Sequence, residues 1–343
     1  MSKFLFSNQK ENNITRKFYS DSYKLPENKI NVQIKKLKLL KKSLKILLFT
    51  RFIQYYLRIM INLTKKFIKS FFLLRPRFLS TIFFIPLLYL IGWVLAQPLL
   101  LLDFQKENLS LIGTIFTFFL FIFLIPSWFN VRWKIRNTWE ILGVNKNNFL
   151  QNIFDFSKGI LFSIVLITLI LIPILKSNYI TWIGEFSSDI LLNSILLGLG
   201  IGIAEEIIFR AWFLEELKME YGIKIAIITQ ALVFSLIHPI SDNSFWNIIG
   251  LRLGWFFLAI LLSLVRRKDK GSLWTCIGIH GGLVGIWFFI NHGLIKIADN
   301  TPSFLAGPFT QNVSNPIGSF FAIVILIILC ILYLGKSNNK AIL

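Results

Sequence analysis

Charge is scarce in this chain: 16% of its 343 residues are Asp, Glu, Lys or Arg, against 55% hydrophobic residues and a mean hydropathy of +0.65. Such a balance excludes a water-soluble globule, a collagen-like chain and a disordered one. Cysteine is scarcer still. Cys276 and Cys330 both fall in apolar segments, so free, packed thiols are expected, with no disulfide framework and no metal-ligand spacing. The start of the chain lacks a charged region followed by an apolar stretch of about 7–15 residues and a small-residue cleavage site, and no cleavable signal peptide is expected. No internal repeat of the kind that builds inverted-repeat transporters is present. Acidic residues number 17 against 37 Lys and Arg, a net charge of +20. Residues 1–77 hold 19 of those 37 cations and only Glu11, Asp21 and Glu27, so +16 of the +20 precedes the first long apolar run. A pI near 10 therefore describes one face of a membrane protein rather than a nucleic-acid binder.

What the chain has in quantity is apolar sequence in runs of about twenty residues, with 35 Phe and 10 Trp. Only helices satisfy their own backbone in hydrocarbon, so the expected fold is all-α: a polytopic integral membrane protein. Apolar spans at 78–101, 109–129, 159–175, 190–212, 223–241, 245–265, 272–292 and 317–335 predict eight membrane helices. Placing both termini in the cytoplasm puts 33 of the 37 cations inside, with Arg132, Arg210 and Arg266 among those assigned to cytoplasmic loops, and leaves Lys106, Lys176 and Lys296 outside, with Arg252 within a span. That partition obeys the positive-inside rule, and an odd helix count would scramble it. The expected location is a bacterial-type inner membrane.

Four regions follow. Residues 1–77 form a basic, partly amphipathic cytoplasmic extension, polar and mobile up to about residue 30. Lys35, Lys38, Lys42 and Lys45, then Arg51, Arg58 and Lys65, are expected to share one helical stripe, opposite Leu39, Leu47, Ile53, Leu57 and Met60. Such a helix suits anionic headgroups, at roughly 1 kcal/mol per basic residue near the surface. Residues 78–154 supply two membrane helices and a cytoplasmic loop, 155–295 the polar core, and 296–343 a loop, the last membrane helix and a short tail.

The core carries residues that hydrocarbon penalises, at about 2.5–3.5 kcal/mol per charge. They are Glu205, Glu206 and Arg210 in GIAEEIIFRAWF, His238 in LVFSLIHP, Arg252 in GLRLGW and His280 in WTCIGIHGGLVG. The chain has three histidines, and only His292 falls at a helix end. Glu206 and Arg210 stand at i and i+4, can face each other and neutralise locally, and so leave Glu205 free. A carboxylate in an apolar, partly wetted cavity suits a general base, and two buried imidazoles can hold a water, donate to an oxyanion or carry a proton. Pro239 removes a backbone donor and bends or ends its helix beside His238. Gly281, Gly282 and Gly285 thin the helix around His280, for close packing or approach by an extended peptide. Each feature alone has a plain structural reading: an anchoring ion pair, an interhelical hydrogen bond, packing glycines, and Arg252 as a counter-ion or cavity lining.

Taken together these residues resemble the CAAX-processing and bacteriocin-processing family of intramembrane glutamic endopeptidases, the type II CAAX prenyl endopeptidase-like proteins. Glu-Glu-x-x-x-Arg is present as Glu205, Glu206 and Arg210, and Phe-x-x-x-His as Phe234 and His238. The third motif runs from His280 to Val284, where the family usually has Asn or Asp. The resemblance covers roughly residues 155–295. It implies an endopeptidase in which Glu205 activates water, His238 assists it and His280 lines the oxyanion hole, with Glu206 and Arg210 shaping the pocket. It implies no metal and no other cofactor; zinc is further disfavoured by the lack of His-Glu-x-x-His and by the engagement of Glu206 with Arg210. Val284 departs from the pattern, because an isopropyl group cannot donate to an oxyanion. Asn291 lies two turns too far along the helix to replace it simply, and Asn247 on the preceding span is an alternative donor. The implied partners are membrane lipids and a peptide or membrane-protein substrate, CAAX-type or a small peptide. The rival readings are a non-catalytic membrane scaffold or immunity-type protein of the same fold, which Val284 favours, and a proton-relaying transporter, which the lack of repeats disfavours.

Overall fold

A computed structural model describes residues 27–73, 77–102, 104–240, 244–310 and 313–338. The fold is all-α and polytopic, with only four strands of two or three residues among the described residues. The polar opening stretch to residue 26 lies outside them, as do the side chains of Leu57, Arg58, Met60 and Lys65.

Two compact units are distinguished. The first takes helix α1 (Glu27–Phe72) up to Phe71, together with Pro98–Asp103. One unbroken helix corrects the single cationic stripe expected for it. Lys35, Lys38, Lys42 and Lys45 share an arc of about 80°, but Arg51, six residues past Lys45, falls about 120° away from it because 3.6 residues make a turn. Leu37, Leu40, Leu44 and Leu47 are all exposed.

The second unit holds α2 (Arg77–Ala96), α3 (Leu109–Trp133), α4 (Phe149–Leu175), α5 (Ser188–Glu206), α6 (Leu214–Tyr221), α7 (Ile223–Ile237), α8 (Phe245–Lys268), α9 (Trp274–Phe289) and α10 (Phe320–Asn338). Among the described residues six helices are long and apolar enough to cross a membrane: Arg77–Leu102, Lys106–Trp133, Phe149–Leu175, Ser188–Tyr221, Phe245–Lys268 and Trp274–Leu294. Two shorter apolar helices, Ile223–Ile237 and Phe320–Gly335, coincide with the fifth and eighth expected spans.

Local chemistry sets the boundaries. The Asn148 side chain accepts the Gln151 N–H at the start of α4, and Ser187 accepts that of Ile190 at the start of α5. Gly222, at φ +81°, separates α6 from α7. α9 packs between α4 and α5, α2 packs on α3, and α8 packs on α7 and α10. Strand β1 (Ile180–Trp182), after α4, pairs antiparallel with β2 (Ile295–Ile297), after α9, with Thr181 opposite Lys296. β3 (Phe309–Thr310) pairs with β4 (Val313–Ser314) in the connection to α10.

The glycines flanking His280 serve packing. A Cβ at Gly281 would stand 2.5 Å from Gly198 O, and one at Gly285 2.6 Å from Ser194 O, so α9 and α5 meet backbone to backbone. Gly281→Ala is expected to destabilise the bundle by about 1–3 kcal/mol through overpacking. Gly200→Ala, which would meet nothing within 4 Å, should leave stability unchanged. Thermal unfolding of both variants in detergent checks the contrast, and equal melting temperatures would refute the close-packing account.

Candidate active site

Glu205 and Glu206 end α5, and the chain continues into α6 through a π-helical stretch, Ile207–Phe213. An underwound turn of this kind re-aims side chains and is frequent at functional sites. His238 immediately follows α7 with φ −68° and ψ 123°. The reason is Pro239, which pushes the residue before it out of the helical region. The helix therefore stops, and His238 leans toward α5. His280 sits in the middle of α9, buried by that helix's close approach to α5.

These three elements bring the sequence-predicted residues together. Glu205 Oε2 stands 3.6 Å from His238 Nε2 and 3.8 Å from His280 Nε2. All three line one cavity of about 390 Å³, with Glu205 29% exposed, His238 20% and His280 6%. Glu206 and Arg210 are both fully buried and pair at 2.9 Å, a close approach that is not aligned as a hydrogen bond.

Each imidazole is oriented from behind. His238 Nδ1–H donates to Phe234 O at 2.7 Å, and its ring stacks on Trp255 at 4.6 Å. His280 Nδ1–H donates to Glu206 Oε1 at 2.8 Å. Carbonyl and carboxylate oxygens only accept, so both rings hold their proton at Nδ1 and turn Nε2 toward Glu205. Phe234 is the spacer between them: the Arg210 guanidinium lies over its ring at 4.1 Å, and both imidazoles pack against it. Arg252 donates to the carbonyls of Ser235 and His238, closing the end of α7 in a structural part. Cys276 and Cys330 are free and buried.

Sequence reasoning missed several members of this arrangement. The link from Glu206 to His280 spans 74 residues and has no local signal. Trp255, one helical turn past Arg252, looks like an ordinary membrane aromatic until His238 stacks on it. Arg132 and Arg266, expected in cytoplasmic loops, are instead buried within α3 and α8, and Arg210 is buried in the π-helical stretch. Arg132 pairs with Glu216, which also accepts from the indoles of Trp128 and Trp133. Arg266 pairs with Glu215 and donates to Arg210 O. The physical reason is that a helix-end cation next to a carboxylate-bearing neighbour is stabilised by pairing inside the bundle as readily as by water outside it. Val284 and Asn291 both line the cavity, whereas Asn247 is not among its described lining residues. Among the described residues no group of three or more His, Cys, Asp or Glu is arranged to hold a metal ion.

Two family models match the chain. Residues 54–137 match a domain of unknown function, DUF8676, and residues 187–286 match the type II CAAX prenyl endopeptidase Rce1-like model. No curated protein and no solved structure matches. The second match spans the helices that carry all three motifs, from Ser187 at the cap of α5 to Ile286 beyond His280 and Val284. Residues 187–286, the segment that carries all three motifs, are thus a type II CAAX prenyl endopeptidase Rce1-like domain.

Proposed function

We propose that this protein is an intramembrane endopeptidase in which Glu205 activates the hydrolytic water. The observation that carries the reading is the approach of one carboxylate and two imidazoles, on three different helices, at 3.6 and 3.8 Å around a shared cavity. Three groups that each penalise burial in lipid gain from meeting there only if something polar occupies the space between them.

The chemistry follows from the tautomers. A water at the centre donates one hydrogen to Glu205 Oε2 and the other to His238 Nε2, which turns an oxygen lone pair toward a peptide carbonyl. Attack forms the carbon–oxygen bond, Glu205 takes the water's proton, and the same proton passes to the leaving amide nitrogen as the carbon–nitrogen bond breaks. His280 donates through Nε2 only as an imidazolium, since its Nδ1–H is committed to Glu206. Glu206 and Arg210 are therefore positioning residues for that donor. The mechanism needs no metal and no other cofactor.

All eight apolar helices cross or enter the bilayer in this reading, with both termini cytoplasmic in a bacterial-type inner membrane. The fifteen residues of α7 span about 22 Å, less than the roughly 30 Å hydrocarbon core. Non-helical backbone at that depth is tolerated where it lines a cavity, as the segment at His238 does. The basic helix α1 lies on anionic lipid. The substrate is a membrane-associated peptide bond, in a CAAX-type tail, a small peptide or a membrane protein. Incubating the purified protein with a library of apolar peptides, in parallel with a Glu205→Gln variant, tests the reading: only the wild type should release products.

Val284 favours a second reading, a non-catalytic membrane scaffold or immunity-type protein of the same fold, because it leaves an apolar group at a position facing the cavity. One missing oxyanion donor is worth on the order of 10²–10³ in turnover. Val284→Asn should recover part of that factor in the endopeptidase, read as a rise in product per hour. A chain whose cleavage stays unmeasurable in both forms would fit the scaffold.

A further inference from the structure

The two ends of the bundle differ in chemistry. Lys134 follows α3, Lys218 and Lys224 flank the turn between α6 and α7, and Arg267, Lys268 and Lys270 flank the turn between α8 and α9. Contacts tie these segments into one end: Glu216 reaches Arg132, Arg266 reaches Glu215 and Ile141 O, and the Leu273 N–H donates to Gly143 O. The opposite end is built from the β1–β2 pair and the connection from α9 to α10, onto which the Trp287 indole donates at Ser314 O. Its described cations are Lys106, Lys176 and Lys296, with Arg252 two turns into α8 and engaged by the carbonyls at the end of α7. Trp182, Phe186, Phe245 and Trp246 are exposed at this end, as suits a membrane interface.

The cavity belongs to the second end. From Glu205 it runs back along α5 past Ile201 to Leu197, away from Arg210. Along α9 it runs from His280 past Trp287 to the exposed His292, twelve residues and about 18 Å on. Asn315, in the connection to α10, lines its rim. Toward the cationic end the way is filled by buried Arg210, Trp212, Phe234 and Leu262.

Lys and Arg near span ends mark the cytoplasmic side. We propose that the cavity opens on the extracytoplasmic side and that its substrate is an apolar peptide segment or chain end presented from there, not a tail held in the cytoplasm. The word substrate rests on the endopeptidase reading; the sidedness rests on charge and cavity alone. Apolar walls with Asn291, His292 and Asn315 near the mouth supply backbone-directed polar contacts without a charged pocket, which fits an uncharged peptide.

The test uses the whole protein with Cys276 and Cys330 replaced by Ala, carrying Asn315→Cys or Arg267→Cys, and a membrane-impermeant maleimide added to spheroplasts. Asn315→Cys should label fully in intact cells, and Arg267→Cys only after permeabilisation. The reverse pattern overturns the proposal, as does labelling of both only after permeabilisation. If Asn315→Cys does not accumulate, His292→Cys takes its place. Failure of the endopeptidase reading would register separately, as peptide cleavage that survives Glu205→Gln while the labelling pattern is as expected.

Discussion

Replacing Glu205 with Gln is expected to lower peptide cleavage by a factor on the order of 10²–10⁴, the usual contribution of a general base. Gln keeps the size of the side chain and its place at the end of α5. It removes the group that takes the water's proton, since an amide oxygen is far too weak a base. Glu205 is part-exposed in its cavity and, among the described residues, pairs with the two imidazoles and with no Arg or Lys, so the fold does not depend on its charge. Product formation by mass spectrometry, normalised to protein abundance in the membrane, measures the effect. A variant that is abundant and cleaves at the wild-type rate would remove Glu205 from the chemistry, and a cellular phenotype that persists in an inactive variant would point to the scaffold.

The neighbouring carboxylate predicts the opposite kind of effect. Arg210→Met should destabilise the protein by about 3–5 kcal/mol, because it strips the counter-charge from a carboxylate that is wholly buried. Three interactions centre on Arg210: its pairing with Glu206, its seat over the Phe234 ring, and the Arg266 guanidinium that donates to its carbonyl oxygen. Met fills a similar volume and keeps none of the charge. Arg210→Lys retains the charge but not the planar group over the ring, and should fall between. Thermal unfolding in detergent and steady-state abundance report both variants. Wild-type stability in Arg210→Met would mean that Glu206 needs no partner, and the account of Glu206 and Arg210 as the support of His280 would fail.

Composition and spacing carried much of this architecture. Scarce charge and long apolar runs determined an all-α membrane protein, because hydrocarbon admits little else. The i, i+4 spacing determined that Glu206 and Arg210 face each other, since one helical turn brings them together whatever surrounds them. Pro239 likewise determined where α7 stops. The six helices of full crossing length were readable, while the two short ones show that an apolar run does not disclose how much of itself is helix.

Tertiary structure alone decided what meets across sequence. His280 lies 74 residues from Glu206, and Trp128 lies 88 from Glu216, yet each pair is in hydrogen-bond contact. Arg132 and Arg266 appeared as loop cations because their sequence neighbours give no sign of the carboxylates on α6. The Nε2 atoms aimed at Glu205 likewise depend on acceptors behind each ring, the Phe234 carbonyl and the Glu206 carboxylate. Spacing along one helix is set by backbone geometry, whereas convergence of three helices is set by how glycines such as Gly198 and Gly281 let their backbones touch, and that contact exists only once the chain has packed.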